Sequence, residues 1–93
     1  MTSRIRPLLA KLKVVSDEIE AAWQLAEDRL PEVDDDLRDE LLKFLSELDV
    51  IQRTAAALAG RIQDTEMMSD RQYDEFYAKI EEVKRIFESK MPG

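Results

Sequence analysis

The chain has 93 residues, 38% charged and 44% apolar, with a formal charge of −7, which bounds one acidic domain spanning 1–93. It holds no Cys and no His, so disulfides, thiol chemistry, zinc fingers and histidine catalysis are excluded. Its charge makes it a poor binder of nucleic-acid phosphates and of anionic membranes, and no apolar run approaches the roughly 20 residues of a membrane span.

Residues 1–6 read as a loose basic lead-in. Lys11, Lys13, Asp17 and Glu18 interrupt the apolar residues behind it, so a signal peptide is not expected and the expected compartment is cytoplasmic. Pro7 suits the first turn of a helix. Leu8, Leu12, Val15, Ile19, Ala22 and Ala26 then step by four and three. Leu9, Trp23 and Leu30 form a second line beside them, giving a face wide enough for two neighbours. Pro31 should end this first helix at about Leu30.

Pro31-Glu32-Val33 is a short connector, which forces an antiparallel hairpin. In the triplet Asp34, Asp35 and Asp36, one residue should cap the second helix. The others then sit in its first turn, where the helix dipole favours negative charge. Consecutive helical residues splay by about 100°, so the three carboxylates do not converge on a metal. The second helix, expected over 34–66, carries the longest stripe: Leu37, Leu41, Phe44, Leu48, Ile51, Ala55, Leu58 and Ile62. It should be roughly 50 Å long. Asp39→Lys43 and Asp49→Arg53 have the spacing for surface ion pairs. Gly60 inside this helix costs about 1 kcal/mol against Ala. Close approach of a bulky neighbour is the expected compensation.

Ser69-Asp70-Arg71-Gln72 reads as a capping box, with Met68 and Tyr73 at hydrophobic-staple spacing. The third helix, expected over 70–90, carries Tyr73, Phe76, Ile80, Val83 and Phe87, with Tyr77 and Ile86 beside them. Glu75→Lys79 and Glu81→Arg85 should decorate its outer face.

These elements imply an all-α, antiparallel up-down-up three-helix bundle with a long central helix. Reflection about the turns brings Ala26 near Leu37 and Phe87 near Leu48. It also brings Phe76 and Tyr77 near Leu58 and Ala59, large against small. The third helix should run out opposite Phe44 or Leu45. The tip of the first hairpin then projects beyond it, carrying Trp23, Leu30, Val33, Leu37 and Leu41.

Charge gathers at the same end. Residues 27–40 hold eight acids, among them Glu32, Asp34, Asp35, Asp36, Asp39 and Glu40, against Arg29 and Arg38, which is −6 of the total −7. No catalytic, cofactor or metal motif is present: there is no phosphate-binding glycine loop, nucleophile elbow or calcium loop. Leu37-Arg38-Asp39-Glu40-Leu41 with Leu58-Ala59 resembles the first helix of helical chorismate mutases. Arg53 is off the expected spacing, however, and the third helix lacks a matching binding set, so no catalysis is read from it. The expected function is non-enzymatic: binding a protein partner, basic or otherwise, or a second copy of the chain, through the hairpin tip. The alternative is an acidic decoy, of the kind some phages encode, occupying a basic nucleic-acid-binding surface.

Overall fold

The computed structural model describes residues 4–91. They form an all-α bundle of three helices: α1 (Ile5–Arg29), α2 (Asp35–Gln63) and α3 (Asp70–Lys90). A single 3₁₀ turn, Leu30–Glu32, joins the first two. The bundle is a rod, 54 × 19 × 18 Å. The first three residues of the basic lead-in, and Pro92 and Gly93 beyond the third helix, lie outside the described residues.

The local signals act where chemistry requires. Helix α1 begins two residues before Pro7, at Ile5. Pro7 therefore stays in the first turn, where no intrahelical partner awaits its missing N–H. The α-helix stops at Arg29, and Pro31 falls in the 3₁₀ turn. Asp34 caps α2, its Oδ1 accepting from the Leu37 N–H at 2.9 Å. Helix α2 ends at Gln63, three residues before the expected limit. Thr65 turns its hydroxyl back to the Arg61 carbonyl at 2.9 Å, closing that end. At α3 the capping box is complete. Ser69 Oγ accepts from the Gln72 N–H at 3.2 Å, and Gln72 Oε1 accepts from the Ser69 N–H at 3.0 Å. Met68 and Tyr73 both pack on the core, as a hydrophobic staple would.

The core is the meeting of three stripes. Leu8, Leu12, Val15, Ile19 and Ala22 of α1 face Leu48, Ile51, Ala55, Leu58 and Ile62 of α2, with Phe76, Ile80, Val83 and Phe87 of α3 closing the triangle. Burying each large aliphatic or aromatic side chain there contributes about 1.5–3 kcal/mol. No polar side chain is fully buried among the described residues.

Ion pairs accompany the packing of α3. Arg4 pairs with Asp70 and Lys11 with Glu81, joining the parallel α1 and α3. Lys90 approaches Glu47 of α2 at 4.0 Å, agreeing with the register that sets Phe87 near Leu48. The hydrogen bond from Lys11 holds the Glu81 carboxyl below its usual range, and the same bond raises the Lys11 ammonium.

Four expectations are corrected. An added Cβ at Gly60 would meet nothing within 4 Å, so no bulky neighbour leans on it. The aromatics explain why. Phe76 packs inward beneath Arg61, but Tyr77 is exposed and turned toward α1, with the Lys11 ammonium 4.6 Å from its ring centre and Tyr73 stacked at 6.3 Å. Next, Phe44 is only half-buried, and Leu45 is the buried residue at that level. The surface pairs also differ: Asp49–Arg53 forms at 3.1 Å. Glu81, however, reaches across to Lys11, and Glu75 pairs with Arg71, one turn before it, at 3.3 Å. Lastly, among the described residues no ion pair joins Asp39 to Lys43.

Candidate partner-binding groove

Helix α3 ends before the hairpin does. Beyond Met91, α1 and α2 continue side by side with no other described residue packed in the angle between them, leaving a groove of about 530 Å³. Its α1 wall runs from Ala22 through Leu25 and Ala26 to Arg29. Its α2 wall runs from Leu37 through Glu40 and Leu41 to Phe44. Val33 closes it at the turn, and Lys90 and Met91 close it at the end of α3. The floor is apolar because it continues the stripe that α3 covers elsewhere: Ile62 and Leu48 are fully buried, whereas Leu37 is 45% exposed. On the facing wall Leu25 is 64% exposed.

Of the residues expected at the tip, the groove brings together Val33, Leu37, Leu41 and Glu40. Trp23 is not among them. It is half-buried against the core and lines a separate cleft of about 290 Å³ with Ile19, Glu20, Asp49 and Gln52. Its indole N–H donates to Glu27 Oε1, one turn on in the same helix. Leu30 is half-buried in the 3₁₀ turn and does not line the groove. Glu32, Asp34, Asp35, Asp36 and Asp39 are exposed around the tip and form no part of the lining. Asp34 is engaged as the cap, and Asp35 lies 3.8 Å from Arg38. Glu32, Asp36, Asp39 and Glu40 form no ion pair among the described residues.

The walls also contain residues that sequence spacing did not assign to the site, chiefly Leu25, Arg29, Lys90 and Met91. Leu25 stands off both apolar lines of the first helix. It would have been found by extending the path of the third helix beyond its end and asking which residues of both neighbours face that path.

The described residues contain no cluster of acidic side chains able to hold a metal ion. None of their helices is long and apolar enough to cross a membrane. No protein-family model matches the chain, and neither a curated protein nor a solved structure does.

Proposed function

We propose that this bundle is a non-enzymatic interaction module that binds a protein partner through the groove at its first-hairpin tip. The observation that carries the reading is the continuation of the core stripe past the end of α3. Leu37, patterned for burial, stands open there and Leu25 of α1 faces it from off the stripe, each leaving about 1 kcal/mol or more of burial unrealised. The reading keeps the cytoplasmic placement expected from the sequence. A second copy of the chain is the other occupant of the same class.

The test is a photo-crosslinking residue placed at Leu25 or Leu37 in the full chain, expressed in the cells that make it. A discrete protein adduct from these positions, absent when the probe sits at Met67 near the opposite end, supports the reading. A discrete adduct from Ile86 on the outer face of α3, with none from the groove, would overturn it.

A second reading is favoured by the unpaired carboxylates at Glu32, Asp36, Asp39 and Glu40. In it the acidic tip occupies a basic nucleic-acid-binding surface of its target, standing in for phosphates. Displacement of DNA or RNA from the crosslinked partner would separate it from the first.

A further inference from the structure

We draw no further inference here: the strongest candidate, the apolar groove between α1 and α2 beyond the end of α3, belongs to the site already described, and nothing in the structure shows what covers it.

Discussion

Over residues 48–62, the apolar stripe of α2 has a helix on either side. Over residues 37–44, the same stripe has, among the described helices, only α1 running beside it. Sequence spacing does not distinguish the two stretches, since both step by four and three. The structure does: Leu48 is fully buried and Leu37 is 45% exposed. A helical stripe records the capacity to be covered, and the length of the neighbouring helix decides how much of that capacity is used. Here α3 has 21 residues against 29 in α2, and the difference falls at the end where negative charge is concentrated.

The largest test of the contrast compares two leucines. Leu48→Ala should cost about 2–5 kcal/mol, because its cavity opens among three helices. In a domain of this size that lowers the melting temperature by about 8 °C or more. Leu37→Ala should cost about 1 kcal/mol or less. Urea unfolding of the two variants gives both values, and equal losses would mean that the tip is as closed as the core.

The caps come next. Ser69→Ala removes half of a reciprocal capping box and should cost about 1 kcal/mol. Asp34→Ala removes one hydrogen bond at the open end and should cost less in global unfolding, since fewer core contacts depend on that turn. A larger loss at Asp34 would tie the tip tightly to the rest of the bundle.

A gain is expected at Gly60, which lies within the three-helix half but has open space at its Cβ position. Gly60→Ala should therefore stabilise by up to about 1 kcal/mol, the helix-propensity difference. Even Gly60→Leu should be tolerated. Destabilisation by Ala would show a contact that the backbone geometry does not contain.

The smallest effect is electrostatic and belongs to the closed half. The Glu81 carboxyl is held below its ordinary value by Lys11, so its contribution is present above the normal glutamate range. It is lost as pH falls through the lowered value. Lys11 is shifted upward, so its share is present at neutral pH and is lost only when alkali strips its proton above the ordinary lysine value. Lys11→Met should thus weaken the bundle slightly at pH 7. Denaturation curves at pH 7 and pH 3 should show the difference between parent and variant narrowing in acid. A difference that stays constant would assign the loss to packing of the Lys11 stem on Tyr77.

The fold was legible because each boundary had a local chemical cause. Pro31 stops a helix, Asp34 caps one, and Ser69 with Gln72 caps another. The stripes then name nearly the whole core. What the sequence could not show depends on which way a side chain turns once three helices meet. Phe44 and Leu45 are adjacent, and only the end of α3 decides which one is covered. Tyr77 fits a position opposite the small residues of α2, yet its ring lies against Lys11 of α1. The tip could be placed from helix lengths and charge alone. Trp23, the residue most suited to anchor a partner by type, lies about 100° around α1 from Ala22, and that angular offset puts it in a different cleft.

The early end of α3 also bears on how the native state opens. Helices supported on two sides and helices supported on one do not unfold with the same free energy. Amides of residues 37–43 should exchange with deuterium through partial opening, while those around Leu48 to Ile62 wait for global unfolding. A bound partner would close this gap, and the resulting slowing of exchange would appear at the tip before it altered the melting temperature. Exchange rates that are uniform along α2 would instead describe a single cooperative unit from Asp35 to Gln63.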